Sequence, residues 1–486
     1  MRRLLEGMQE LKVLLAGLPD PGGECWVVGG ALRDAWLGRP VHDIDLAVPD
    51  PISPVVELLE RHTGRNAHTV NQKFASARIV ANDYEIDITP LNGDSIEADL
   101  RRRDYCINAL AVPLSVVLTG NAQPRDVIAD PNALDDLEAG RLRLVSAAAL
   151  TDDPLRVLRG FRLAAQLQME PDNACREAWR VHAADLRKSS GERQREELVR
   201  WFSLAQLDTG LLQISADSGV LWQLFPALSD SVGCTQNHYH HLDVWDHTLL
   251  ALRQLDGLLE QLPGPLVEFT GTFSQAMAAQ LDGGASALAL TRLSLLLHDV
   301  GKPATRRDEA DGYVSFIGHQ KVGVELVEED FRRLRFSTAE QDFLHTMIHE
   351  HLRLGFYSDN DPLPAKLIYR FIRTLGNATL PQLLHSLADC AAALGSDSEE
   401  SMQRHIRAAR QVAENYINDS HVARPPVLLN GEEIMRLLSL RPGPAVGRYK
   451  RAMLEATAEG WISSPQDARE FLAGLAGDTG RELNGG

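Results

Sequence analysis

The sequence predicts an α+β protein, with a small sheet-and-helix head at the N-terminal end followed by all-helical domains. Three observations carry this. Residues 24–115 alternate short β-like runs (ECWVV, HDIDLAV, SARIVAN, YEIDITP) with helix-like ones, the pattern of a small sheet wrapped by helices. From about residue 146 apolar positions recur at helical spacing, in DPLRVLRGFRLAAQL, GERQREELVRWFSLAQ and SGVLWQLFPAL. Finally, 486 residues are too many for one compact core. We draw boundaries at 1–145, 146–228, 229–400 and 401–486.

The elements follow in order. MRRLLEGMQELKVLLAGL carries Glu6, Glu10 and Lys12 inside its apolar part and reads as an amphipathic helix, not a signal peptide. After the head and the first helical stretch, a His- and Asn-rich loop (TQNHYHHLD, 235–243) opens a second helical region ending near 400. Within it, residues 263–290 read as a spacer or surface loop. Two Pro-rich breaks, ARPPVLLNGEE and RPGPAVG, precede two short helices, and DTGRELNGG reads as a frayed end.

Bulk composition narrows the function. No stretch approaches the roughly 20 apolar residues that span a bilayer. The five cysteines (25, 106, 175, 234 and 390) follow no zinc or disulfide spacing, which points to a reducing cytoplasm. A net charge of −18 argues against a general nucleic-acid coat, so any RNA role rests on local patches. The candidates are Arg101 to Arg103, Arg156 to Arg162 and Lys188 to Arg200.

The first constellation is VVGGALRDAWLGRPVHDIDLAV, residues 27–48. Gly29 and Gly30 lack a Cβ, so a backbone turn can bring its N–H groups close to a triphosphate. Arg33, a few residues into the next helix, adds fixed positive charge. Strand alternation puts Asp43 and Asp45 on one face, a pair of hard oxygen ligands suited to Mg²⁺. The chemistry implied is two-metal nucleotidyl transfer. The plainer reading is a tight turn and two surface acids; the ordered string GGxxRD–LG–DxD speaks against it.

This string resembles the first motif of the class II tRNA nucleotidyltransferase and bacterial poly(A) polymerase family. The resemblance continues in order. RRRDYCINALAV (101–112) is similar to the family's RRDFTINA motif, and VIADPNALDDLEAGRLRLVS (127–146) to the segment joining head and neck. TDDPLRVLRGFRLAAQL (151–167) resembles the EDxxR nucleotide-selecting helix, and SSGERQREEL (189–198) the helix after it. The resemblance implies a polymerase-β-like head that joins CTP and ATP to tRNA 3′ ends, with Arg103 on the nucleotide. Asn108 is a hydrogen-bond donor and acceptor for a ribose or its neighbours. Asp153 accepts and Arg156 donates, a pair that fits the amine and ring nitrogen of cytosine or adenine and mismatches uracil and guanine. Arg159 lies on the same helix face as Arg156. Asp153 is equally suited to capping the helix.

Two departures stand out. Asp152 replaces the family's Glu. Only ITPLNGDSIEADL separates Asp87 from Arg101, where members adding the full CCA carry a longer flexible loop, so the chain resembles members that stop at two cytidines. Asp87 itself is either a third metal carboxylate or a strand-face acid.

The second constellation is LLLHDVGKP (295–303), with adjacent His298 and Asp299. His247, His319, His349, His351 and Asp389 lie on other helical segments, in an order that resembles the HD phosphohydrolase superfamily. Imidazoles and carboxylates from several helices can enclose one or two divalent ions (Mg, Mn, Ni or Fe) that generate hydroxide near neutral pH. The resemblance implies that His247, His298, Asp299 and Asp389 hold one ion. His319 and His351 serve a second, with His349 as the competing assignment.

The reading is therefore a cytoplasmic tRNA nucleotidyltransferase adding CC or CCA, with Mg²⁺ at the transfer site and a second, metal-dependent HD site. Its partners are tRNA, CTP and ATP and no membrane, as a monomer or homodimer. The alternatives are a poly(A) polymerase, a phosphohydrolase with a vestigial transferase head, and a non-catalytic RNA-binding adaptor.

Overall fold

A computed structural model of the chain describes residues 2–482 apart from 17, 22–23, 72–75, 81–83, 237–241, 310–313 and 394–397. The chain divides into two compact units, residues 1–198 with 210–223, and residues 199–209 with 224–486.

The first unit opens with α1 (Arg2–Leu14), β1 (Trp26–Val28), α2 (Gly30–Leu37), β2 (Asp43–Val48), α3 (Ser53–Thr63), β3 (His68–Asn71), β4 (Ser76–Val80), β5 (Glu85–Pro90) and α4 (Ile96–Leu100). β6 (Leu110–Pro113), α5 (Leu114–Thr119), β7 (Ile128–Ala129) and α6 (Ala133–Ala139) complete the head. The seven strands form one sheet in the order β3-β4-β5-β2-β1-β6-β7. Only β2 and β5 run parallel. Alternation follows from the sequence: Ile44, Leu46 and Val48 are buried, while Asp43 is exposed. Gly7 lets α1 lie against α2, because a Cβ there would come within 2.2 Å of the Ala35 carbonyl oxygen. Beneath the sheet, Val28, Ala47, Ala109 and Ala111 pack with Ile96 and Leu100 of α4.

Helical structure then takes over. β8 (Arg141–Leu142) and β9 (Glu170–Pro171) make a short pair around α7 (Ala148–Asp152) and α8 (Arg156–Leu167); α9 (Asn173–His182) and α10 (Gly191–Phe202) follow. α8 begins two residues beyond Pro154, so Pro154 lies in the turn that leads into the helix. α11 (Thr209–Asp217) and α12 (Val220–Leu224) come next.

The second unit is built on α13 (Val244–Glu260), α14 (Thr270–Ala278), α15 (Ala287–Leu297), α16 (Lys302–Thr305), α17 (His319–Arg333) and α18 (Thr338–Glu350). α19 (Arg353–Tyr357), α20 (Ala365–Leu375), α21 (Thr379–Ala392) and α22 (Ser398–Ile417) continue it. Nearly all of α15 is buried, as expected of a helix apolar on every side. Its one arginine, Arg292, is fully buried and paired with Asp256 of α13, with its remaining donors on the carbonyls of Phe202, Leu204 and Ala205.

Residues 263–290 are not a surface loop. Leu266, Phe273 and Met277 are buried, because the short apolar residues of α14 find a partner face that sequence spacing did not reveal. Two helices follow the Pro-rich breaks, α24 (Pro444–Ala458) and α25 (Pro465–Glu482), and α23 (Gly431–Leu438) lies between the breaks; the three close around Ile434, Met453, Ala456 and Leu472. The supposedly frayed end is helical through Glu482; the last four residues, and most of the His-rich loop, lie outside the described residues.

Candidate functional site

The first site forms where β1 ends. Val28 pairs with Asp45, so the turn after β1 lands beside that carboxylate. Gly29 in this turn has φ 70° and ψ −125°, a backbone conformation that side chains oppose. A Cβ there would sit 2.8 Å from Arg103 Nη1 and 3.4 Å from Asp45 Oδ2. Glycine is needed here twice, for its backbone and for the close approach of two charged groups.

Parallel pairing sets Asp87 of β5 opposite Asp45. Asp87 is already engaged: Arg78 donates to both of its oxygens at 2.7 Å. The carboxylates left on the β2 face are Asp43 and Asp45. Burial pushes the Asp45 carboxyl above its ordinary value; Arg103 opposes the push, while Asp87 and Asp43 add to it. A largely enclosed carboxylate whose ionised form is costly without a cation, with a second acid beside it on the same strand face, is a donor set that fits a hard divalent ion.

Gly29, Gly30 and Asp45 open on a cavity of about 630 Å³. Arg102, Arg103, Arg156, Arg159 and Arg193 line it and outnumber the carboxylates there, so this acidic chain concentrates cations where a triphosphate would fit. One wall is the connection from β5 to α4, five residues long. Asn92 fastens it: its N–H donates to Asp99 Oδ1 at 3.0 Å, and its Oδ1 accepts from Arg102 at 2.6 Å. Asp99 also holds Arg103 at 3.0 Å.

Asp104 is the hub behind the cavity. Its Oδ1 accepts from the Tyr105 N–H (2.8 Å) and Asn108 Nδ2 (3.1 Å), and Arg159 pairs with Oδ2 at 3.1 Å. Burial would raise its carboxyl, but Arg159, Asn108 and the Tyr105 amide hold it below its ordinary value.

One expected placement differs. Arg33 does not reach the cavity. Its guanidinium donates to Asp34 at 3.0 and 2.8 Å and to Asn108 Oδ1 at 2.6 Å, and the side chain is buried. A neighbouring acid, one residue on, captures it. Asp153 accepts the Leu155 N–H at 3.2 Å, and Arg193 of α10 grips it at 2.7 Å. Arg156 donates to the carbonyls of Arg102 and Ala149. Sequence reasoning singled out Arg193 only as part of the basic stretch Lys188 to Arg200 and missed Asp99, one more acid in a short helix.

The second site lies wholly in the helical unit. His247 of α13, His298 and Asp299 just past α15, His319 at the start of α17 and His351 just past α18 are all buried. Two groups of ligand atoms lie within 4.8 Å of one another, His247–His298–Asp299 and Asp299–His319–His351, and Asp299 belongs to both. Asp389 of α21 closes the first, 2.9 Å from His247 Nε2 and 3.4 Å from His298 Nε2. His349, the competing assignment, is exposed and meets Glu350 instead.

Burial would lower the His298 imidazole, but Asp299 and Asp389 raise it to about 10. Burial, His298 and His319 push His351 well below its usual value. Crowding imidazoles and carboxylates in a dry pocket strains every protonation state, and a shared divalent ion would relieve it; the donors fit one or two such ions. Lys302 pairs with Asp299 at 2.6 Å, and His385 lies fully buried with its ring 5.6 Å from that of His298. Neither was foreseen, although His385 lies one helical turn before Asp389.

Comparisons with known proteins agree with this geometry. The Poly A polymerase head domain family matches residues 25–143, and the HD domain family residues 244–371. The A-adding tRNA nucleotidyltransferase of Deinococcus radiodurans is 34% identical, covering 95% of this chain and 97% of its own. The CC-adding tRNA nucleotidyltransferase of Thermus thermophilus is also 34% identical, over 92% and 93%. A solved CCA-adding enzyme in complex with CTP shares the fold at a TM-score of 0.60 and 20% identity, covering 98% of each chain. Among the described residues no helix is long and apolar enough to cross a membrane. Full-length identity of a third, on top of a glycine turn facing two strand carboxylates, makes the conclusion plain: the chain belongs to the tRNA nucleotidyltransferase family.

Proposed function

We propose that this chain is a cytoplasmic CC-adding enzyme, joining two cytidines to tRNA 3′ ends from CTP. Overall identity cannot choose among the specificities, because an A-adding and a CC-adding relative are equally similar. The observation that carries the proposal is the five-residue connection from β5 to α4. It is fastened by Asn92 and Asp99 to the arginines of the cavity wall, where full CCA addition calls for a longer movable segment. A wall tied at both ends favours one base shape.

In this reading Asp43 and Asp45 would hold Mg²⁺, which when bound would supply activation of the tRNA 3′-hydroxyl and charge for the departing pyrophosphate. Arg102 and Arg103 bind the triphosphate. Arg33 acts through Asn108 to fix the turn and does not touch the phosphates. Asp153 accepts the cytosine amine and Arg156 donates to its ring nitrogen, with Arg193 bracing Asp153 and Arg159, tied to Asp104, one turn further along the selecting helix. Residues 1–145 carry the transfer, 146–228 the selection and 401–486 a hold on the tRNA body. The HD cluster (229–400) is a second, metal-dependent phosphohydrolase site, with His247, His298, Asp299 and Asp389 on one ion and His319 and His351 on another.

Labelled CTP or ATP, given separately with Mg²⁺ to tRNAs ending before CCA, after C and after CC, tests the proposal. Two cytidines and no ATP use on the CC end are expected, and Asp43→Ala with Asp45→Ala should abolish them. ATP addition to the CC end would overturn the CC-adding assignment.

A further inference from the structure

We propose that the Tyr105 hydroxyl is a positioning group that sets Arg156 for base selection; this rests on the reading that Arg156 selects the base. Tyr105 is fully buried, next to the Asp104 hub. Its hydroxyl donates to the main-chain carbonyl of Arg156 at 2.7 Å and accepts from Trp179 Nε1 of α9 at 3.0 Å. Both capacities of the hydroxyl are used, so its direction is fixed. Gly160, one turn into α8, leaves the space: a Cβ there would sit 2.0 Å from the Tyr105 oxygen and 2.6 Å from the Trp179 ring.

Three bonds tie the start of α8 to residues 102–105. Arg156 donates to the Arg102 carbonyl at 2.8 Å, Arg159 pairs with Asp104 at 3.1 Å, and Tyr105 holds the Arg156 carbonyl. The first two use side chains that line the cavity, where an entering nucleotide would compete for their donors. The third joins a fully buried hydroxyl to a main-chain carbonyl, out of reach of an entering nucleotide. It holds the backbone from which Arg156 reaches the base, relative to the turn that carries Arg103, without drawing on either cavity-lining guanidinium. The motif that RRRDYCINA resembles has phenylalanine at this position, which fills the same space and makes neither bond.

The test is Tyr105→Phe in the full chain, with kcat and KM for CTP and UTP on tRNA ending before CCA. The variant keeps the ring, so it should fold, as a thermal melt would show. The CTP-over-UTP ratio of kcat/KM should narrow by about fivefold, the worth of one neutral hydrogen bond. Adding Tyr105→Phe to Arg156→Ala should narrow it no further than Arg156→Ala alone, because Tyr105 acts through Arg156. Equal losses for both nucleotides, with the ratio kept, would reduce Tyr105 to a structural role and overturn the proposal. If Arg156→Ala itself keeps the ratio, the base-selection reading fails instead. Should Tyr105→Phe not fold, Trp179→Phe frees the hydroxyl to turn away and should narrow the ratio in the same direction; an unchanged ratio there overturns the proposal as well.

Discussion

Gly29 shows how much one residue decides in this molecule. Any side chain there meets a hostile backbone and the Arg103 guanidinium at once. Gly29→Ala should cost about 1–3 kcal/mol of stability from backbone strain. It should also lower CTP incorporation more steeply than stability, because Arg103 must move; denaturant melts beside single-nucleotide extension separate the two losses. Asp104 allows a prediction with a definite sign. Its folded-state carboxyl is held below the ordinary value, so it contributes stability above about pH 4, where the unfolded chain's Asp is ionised, and loses it as pH falls further. The difference in unfolding free energy between the wild type and Asp104→Asn should be largest at pH 7 and shrink below pH 4. A difference that grows toward acid would contradict the hub arrangement.

At the scale of elements, the selecting helix is held by its neighbours more than by its own sequence. Arg162 of α8 pairs with Glu197 of α10 at 2.5 Å, and both side chains are largely buried. Removing one partner leaves the other charged in a dry interface. Arg162→Met should therefore destabilise by about 3 kcal/mol, read from urea unfolding. Replacing both residues with apolar ones of similar volume should restore much of that. The β5–α4 connection follows the same logic. Its turn is set by Gly93, at φ 131°, by the Ser95 cap on Ala98 N–H and by the Asn92 side chain. These are local devices, and all of them are readable as turn chemistry in LNGDS.

At the scale of the whole molecule, two donor sets of different character occupy separate units. One is carboxylate on a strand; the other is mainly imidazole on helix ends. Asp299 belongs to both ligand groups of the second set, so Asp299→Ala should empty it of tightly held metal, measured by elemental analysis of the purified protein. The same variant should leave Mg²⁺-dependent CTP incorporation intact. Asp43→Ala should do the reverse, keeping the helical metal and losing incorporation. Bound through its local arginines, tRNA should lose affinity as salt rises, while the net charge of −18, a repulsion that salt also screens, should soften that slope.

The sequence by itself determined the elements and the order of the chemistry. Period-two alternation in HDIDLAV placed Asp43 and Asp45 on one face, and the glycine pair marked the turn, because these depend on neighbours a few residues away. The histidine and aspartate positions from 247 to 389 were legible as an ordered pattern, and their convergence agrees with it. What only tertiary structure decided is partnership. Arg33 and Arg103 look alike as arginines near a motif, yet one is captured by Asp34 and the other faces the cavity. His349 and His351 are two residues apart, and the helix end turns one to solvent and the other inward. Arg193 and His385 take their meaning from residues 40 and 87 positions away, beyond the reach of local spacing, while Lys302 meets Asp299 only three positions back. Local spacing fixes which face a side chain takes; only packing in three dimensions fixes what it meets there.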